Sequence, residues 1–173
     1  MLFRFRQDSD CDDDEAEICV PVRVDGVIYT INVKKRPYCS QLLQRLQEKY
    51  EICVFTAGVV SYANVVIDKI DEKNSIRHKL FRDACTLHEG KLVKDLSRLG
   101  RDLGRTIIVD NRSSAFAFHP ENGIKCTSFY GETADEELHK LTDFLLLADT
   151  NTNDIRPWIK QWTGFTERNQ VRG

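Results

Sequence analysis

Three stretches of this chain run apolar and then stop at a side chain fit for ionic chemistry. Ile52-Cys53-Val54-Phe55 stops at Thr56, the passage through Val93 stops at Lys94, and Ile107-Ile108-Val109 stops at Asp110-Asn111. A short continuous apolar run is the pattern of a strand buried on both faces of a parallel sheet, and ligands bind where such strands end. A hydroxyl and an ammonium together suit a phosphoryl group: one donates a hydrogen bond, the other neutralises charge. Asp110 and Asn111 offer the hard oxygen donors that Mg²⁺ prefers. Each member also has a plain structural reading. Thr56 suits a helix N-cap, Lys94 a surface pair with Asp95, and Asp110-Asn111 the start of a turn. Taken together, they are equipment for phosphoryl transfer, where positioning and charge compensation supply most of the catalysis.

The chain that must position them is 173 residues long, 41% apolar and 30% charged, which fits one soluble globular domain. No stretch approaches the roughly 18 apolar residues of a membrane span. The start, Met-Leu-Phe-Arg-Phe-Arg-Gln-Asp, has no apolar core of a secretory signal. The expectation is an intracellular protein, nuclear or cytoplasmic. Six cysteines at 11, 19, 39, 53, 85 and 126 form no C-x-x-C, and the four histidines show no metal-ligand spacing. They read as free thiols in a reducing compartment, with no zinc site or disulfide framework. The net charge of −2 hides an acidic block, for residues 8–17 contain seven acids and no base. The remaining 25 bases against 20 acids suit an anionic substrate but are too few in excess for nucleic-acid binding.

Residues 18–33 read as a hairpin turning at Asp25-Gly26 in a type I′ turn, with Pro21 marking an edge strand. Lys34-Lys35-Arg36-Pro37 reads as a solvated helix start or a phosphate contact before a helix near 38–49. A helix follows Thr56, with Ser61 as its N-cap and Tyr62, Val65, Val66, Lys69 and Ile70 on one face. Glu89-Gly90 suits a further hairpin turn, Ile124–Phe129 a strand, and 134–148 a helix burying Leu138, Leu141, Leu145 and Ala148. A last helix, 154–162, aligns Ile155, Trp158, Ile159 and Trp162. Strands that alternate with helices imply an α/β sheet covered on both sides.

Six blocks then occur in a recognisable order: Val-Lys-Lys-Arg-Pro-Tyr, Val-Phe-Thr-Ala-Gly, Leu-Phe-Arg-Asp-Ala-Cys, Val-Lys-Asp-Leu-Ser-Arg-Leu-Gly-Arg-Asp-Leu, Ile-Ile-Val-Asp-Asn-Arg-Ser and Phe-His-Pro-Glu-Asn-Gly-Ile. From about residue 18 to 160 the chain resembles the small phosphatases of the RNA polymerase II C-terminal domain and their relative Dullard, in the haloacid dehalogenase superfamily. The resemblance implies a Rossmann-like fold with a central parallel sheet and β-hairpin insertions. It implies a Mg²⁺-dependent protein serine/threonine phosphatase acting through an aspartyl-phosphate, with a phosphorylated protein or peptide as partner. By the same resemblance, Thr56 binds phosphate and Lys94 steadies the phosphate and the nucleophile. Asn111 is a direct Mg²⁺ ligand, and Asp110 holds a metal-bound water or orients its neighbour. Arg82 contacts the phosphopeptide. Arg112 stands where the family usually has serine.

The departure lies at the front. Members of this family attack with the first aspartate of Asp-Leu-Asp-Glu-Thr, carried on a strand in the middle of the sheet. Here Asp8-Ser9-Asp10 is the nearest imitation; Asp12 stands where the threonine belongs, and the motif follows the wrong strand. Leu2-Phe3-Arg4-Phe5-Arg6 alternates apolar with cationic residues, unlike a strand buried on both faces. The expected organisation is an acidic, loose segment at 1–17, a phosphatase-like domain at 18–163 whose first central strand is missing or replaced, and a flexible tail at 164–173. Such a chain is a truncated phosphatase, inactive as written, or a non-catalytic phosphopeptide- or protein-binding module of the same fold.

Overall fold

The structure is a computed structural model and describes residues 3–8, 18–24, 26–151 and 153–162. Its first layer is a three-stranded antiparallel sheet of β1 (Phe3–Asp8), β2 (Ile18–Val24) and β3 (Val27–Lys35), in the order β1-β3-β2. β2 is thus an edge strand, where Pro21 costs no ladder hydrogen bond. The register pairs Val24 with Val27, a two-residue connection. Gly26 sits at φ 84, as a type I′ turn requires, while Asp25 lies outside the described residues. Of the stretch expected to be loose, Phe3–Asp8 form β1, paired antiparallel with β3; residues 9–17 and 163–173 lie outside the described residues.

The expected parallel sheet is present in two pieces. β4 (Ile52–Phe55) pairs in parallel with β5 (Ile76–Leu80) through α2 (Val60–Ile70), and β8 (Ile108–Asp110) pairs in parallel with β9 (Gly123–Lys125). Between them the chain inserts a small hairpin, β6 (Thr86–His88) and β7 (Lys91–Val93), turning at Glu89-Gly90 as expected. The strands at 107–111 and 124–129 are shorter than their apolar runs. Thr106 and Ile107 precede β8, and β9 ends where Cys126 N–H bonds back to Asp110 O at 3.1 Å.

Helices α1 (Cys39–Leu46) and α3 (Glu137–Asn151) pack together over one side. Cys39, Leu42, Leu43 and Leu46 meet Leu138, Leu141, Leu145 and Ala148 in a core that extends to Val20, Val22 and Val33. Tyr50 Oη closes this layer by donating to Leu145 O at 2.6 Å. A final helical stretch at 156–162 adds Ile159, next to the buried Ile155. Two local expectations fail. Val59, extended at φ −76, occupies the N-cap of α2 in place of Ser61, and α2 buries Ala63, Val66, Ile67 and Ile70 while Val65 stays 38% exposed. Tyr62 is only partly buried and Lys69 is exposed, so the real apolar face is rotated towards Ala63 and Ile67.

Arg36 is a larger correction, because a basic run reads as solvated whereas this guanidinium is fully buried. It forks onto both carboxylate oxygens of Asp135 at 3.0 and 2.7 Å and also donates to Thr127 O and Oγ1. A bidentate, hydrogen-bonded partner is what a buried cation needs. The pair ties the end of β3 to the loop between β9 and α3. Elsewhere packing excludes a side chain altogether: a Cβ on Gly123 would lie 2.1 Å from the Phe116 ring. Phe116 belongs with Leu96, Ile108 and Ala115 to a second apolar cluster beneath β8.

Two outcomes follow for stability. Arg36→Ala leaves Asp135 without its counter-ion and should cost about 3–5 kcal/mol, read as a lower urea midpoint at unchanged slope; Arg36→Lys, without the fork, should fall between. Glu51 accepts from Arg101 at 2.7 and 2.9 Å and lies 2.7 Å from His78 Nε2. These contacts hold its carboxyl at about 2, against an ordinary 4.5. A depressed carboxyl stabilises the fold above its unfolded value and loses that contribution as pH falls through its folded value. Thermal melts of wild type and Glu51→Gln should therefore differ near neutrality and converge as pH drops from 4.5 towards 2.

Candidate functional site

β4 and β8 bring their C-terminal ends to one cleft of about 1370 Å³. Thr56, Arg82, Lys94, Asp110 and Asn111 all line it, so every residue singled out from the sequence reaches the same place. Thr56 follows β4 directly, and its N–H continues the ladder to Leu80 O at 2.8 Å. Its Oγ1 accepts the Gly58 N–H at 3.0 Å, closing a tight turn. That bond uses a lone pair and leaves the hydroxyl proton to be donated into the cleft. The N-cap reading of Thr56 is replaced by this turn. A Cβ on Gly58 would stand 2.7 Å from Tyr62 Oη, so a larger residue there would displace the Tyr62 side chain. Arg82 supports the same loop: its N–H donates to Gly58 O at 3.1 Å and its Nε to Ala57 O at 2.7 Å.

Lys94 is 11% exposed and donates to Asp110 Oδ2 at 2.5 Å; the carboxylate is 12% exposed. The surface pair with Asp95 does not form, because Asp95 faces Ser97 and His119. Those contacts, led by the Ser97 hydroxyl, hold the Asp95 carboxyl below its usual range. Lys94 N–H donates to Ala115 O at 2.7 Å, anchoring its backbone to the turn after β8. Its ammonium stands 5.9 Å from the Phe55 ring centroid, on the negative face that favours a cation.

Asp110 is saturated from two sides, for its Oδ1 accepts the Arg112 N–H at 2.8 Å. Asn111 donates its Nδ2 to Ser128 Oγ at 3.0 Å. This fixes the amide so that Oδ1 is the atom available to a cation. Ser128 has no signal in the sequence: it lies seventeen residues away, brought in by the pairing of β8 with β9. Mg²⁺ demands six oxygens, and the residues present supply part of such a shell. Asn111 Oδ1 could serve as one donor, and Asp110 as a second if it shared its oxygens with Lys94 or acted through water. Among the described residues no group of three or more His, Cys, Asp or Glu could hold a metal by itself.

Nucleophilic thiol chemistry is poorly served. Burial pushes the Cys53 and Cys85 thiols up, with Lys94 opposing in both and Arg82 also in Cys85. A raised thiol is neutral at physiological pH and a weak nucleophile. Of the described cysteines, Cys39 and Cys126 are buried. No described helix is long and apolar enough to cross a membrane.

The family model of NLI interacting factor-like phosphatases matches residues 2–156. The chain is 43% identical over 129 residues to human carboxy-terminal domain RNA polymerase II polypeptide A small phosphatase 1, which covers 75% of this chain and 49% of that protein. It is 44% identical over 150 residues to CTD small phosphatase-like protein 1 of Caenorhabditis elegans, covering 87% of this chain and 28% of that one. Its fold is similar to the fission yeast RNA polymerase II CTD phosphatase Fcp1 bound to beryllium fluoride. That likeness has a TM-score of 0.59 at 21% identity, over 97% of this chain and 53% of the other. The chain spans about half, or less, of the length of these curated relatives.

Proposed function

The chain belongs to the family of NLI interacting factor-like phosphatases, and from that premise we propose that its cleft is the phosphate- and metal-binding part of a Mg²⁺-dependent protein serine/threonine phosphatase site. The observation that carries this reading is the convergence of Thr56, Lys94, Asp110 and Asn111 where two parallel strand pairs end on one cleft. Lys94 neutralises the phosphoryl oxygens, and Asp110 keeps its ammonium aimed at them. The Thr56 hydroxyl donates to a second oxygen. Arg82, exposed at the rim, contacts the phosphopeptide. Asn111 Oδ1, with Asp110, would hold Mg²⁺, which when bound would compensate the charge of the phosphoryl group.

The 173 residues contain no Asp-x-Asp-x-Thr, so the attacking carboxylate of the family's aspartyl-phosphate chemistry is not supplied by them. In this reading the chain as written binds a phosphoprotein without turning it over. In this reading the ligand is a phosphorylated serine or threonine segment of a protein, by analogy with the RNA polymerase II carboxy-terminal domain in the relatives' names, and the site of action is the nucleus or cytoplasm.

The isolated chain should bind inorganic phosphate more tightly with Mg²⁺ than without, by calorimetry, and should release no phosphate from p-nitrophenyl phosphate. Fused behind a strand ending in Asp-x-Asp-x-Thr, it should gain hydrolysis. Lys94→Ala in that fusion should lower kcat/KM by about 100-fold or more. Full activity of the variant would remove Lys94 from the mechanism. A fusion that binds phosphoserine peptide with Mg²⁺ but never hydrolyses it would favour a binding module.

A further inference from the structure

The cleft carries more positive charge than its own acids engage. Among the described residues, the acids that line it are Glu51, Asp95, Asp102 and Asp110. Glu51 is held by Arg101 and His78, and Asp95 by Ser97 and His119. Asp102 accepts the Gly104 N–H at 2.8 Å, and Asp110 meets Lys94 and the Arg112 N–H. None of these contacts reaches the side chains of Lys91, Arg98 or Arg112. All three residues are exposed and line the same cleft. The Arg98 guanidinium makes a long hydrogen bond, Nη1 to Thr86 Oγ1 at 3.4 Å, to a neutral partner.

The three cations surround the Lys94–Asp110 pair. Lys91 opens β7, the strand that leads to Lys94. Arg98 lies in the short turn Leu96–Leu99 that follows it, where Asp95 accepts the Ser97 N–H at 3.1 Å. Arg112 follows Asn111 and opens the turn at 113–116, on which β7 packs. Lys94 N–H to Ala115 O and Ala115 N–H to Arg112 O, at 2.7 and 2.9 Å, fix these pieces to one another. Thr86, the partner of Arg98, pairs across the hairpin with Val93, the neighbour of Lys94. Like charges gathered at a cleft raise its potential and draw in anions. A phosphoserine brings a charge of only about −1.5 to −2, and in the reading above Lys94, Arg82 and Mg²⁺ already meet it.

We propose that Lys91, Arg98 and Arg112 form a second anion subsite, which takes another carboxylate or phosphate group of the bound protein, a few residues from its phosphoserine. The guanidinium fork grips either group through two parallel hydrogen bonds, and a lysine meets it as a point charge. The subsite selects, among phosphoproteins, segments that are acidic or multiply phosphorylated around the reacting residue. It rests on the phosphate site proposed above, which fixes where the first phosphate lies. Because the three side chains stand in water, they act through charge, and salt weakens them.

The test is fluorescence anisotropy on the intact chain with Mg²⁺ at low salt. The probes are fluorescein-labelled Ala-Ala-Ala-phosphoserine-Ala-Ala-Ala, a twin with two glutamates at each end, and a twin with one further phosphoserine at each end. Either twin should bind about tenfold more tightly than the plain phosphopeptide, and the larger gain identifies carboxylate or phosphate as the occupant. The gain should shrink as salt rises. Combining Lys91→Gln, Arg98→Gln and Arg112→Ser should abolish it and leave the plain phosphopeptide's affinity within about twofold. Lys69→Gln, Lys73→Gln and Arg77→Gln, which remove as much charge outside the cleft, should preserve it. Equal loss in both variants would overturn the subsite in favour of net charge. The comparison of peptides on the unaltered chain decides the matter even where a variant fails to fold. A plain phosphopeptide that binds and gains nothing from added anions overturns the subsite alone. If none of the phosphopeptides binds, the phosphate site falls, and the subsite with it.

Discussion

A cationic side chain packed largely out of water is costly unless an opposite charge meets it, and that requirement organises the region around Lys94. The partner is Asp110, sixteen residues further on. Meeting it brings the end of β7 against the end of β8. The backbone bond from Lys94 to Ala115 repeats the tie one layer down, where Ala115 and Phe116 pack on Ile108. One charged pair and one small apolar cluster thus hold a cation at a strand end inside the cleft. That is the arrangement an anion-handling site needs.

The opposite wall is built from different materials. α2 returns the chain from β4 to β5, and Asp71 at its end accepts the N–H groups of Ser75 and Ile76, which starts β5 in register. At the foot of the cleft, Glu51, His78 and Arg101 form an exposed strut from β4 and β5 to the loop ahead of β8. At its back, α1 and α3 supply a leucine wall. The two parallel pairs are thus held by their surroundings, and neither lends the other a backbone hydrogen bond among the described residues.

What the sequence made legible is what periodicity and strand ends encode. Leu138, Leu141, Leu145 and Ala148 are all buried, as their spacing requires, and Thr56 and Asp110-Asn111 stand where apolar runs stop. The order of the six blocks carried the assignment of roles, which spacing alone would not have done. What was not legible depends on distant pairing. Lys94 has an acid next door in Asp95 and uses Asp110 instead; Asn111 is oriented by Ser128; Arg36, in a run of three cations, is the one driven inside by Asp135 and Thr127. Ser61 looked like a cap by residue type, yet the backbone turns into the helix two residues earlier. For Lys94, Asn111 and Arg36 a tertiary contact outweighed the local preference.

The Phe116 ring occupies the space that a methyl group on residue 123 would fill. The two positions therefore cannot drift independently. A descendant of this chain could acquire alanine at 123 only together with a smaller or rotated side chain at 116. Because Phe116 and Ile108 share one cluster beneath the strand that ends in Asp110, that coupled change would be felt at the carboxylate. A lineage comparison should find these sites covarying, with the least variation wherever the ion pair above them is retained.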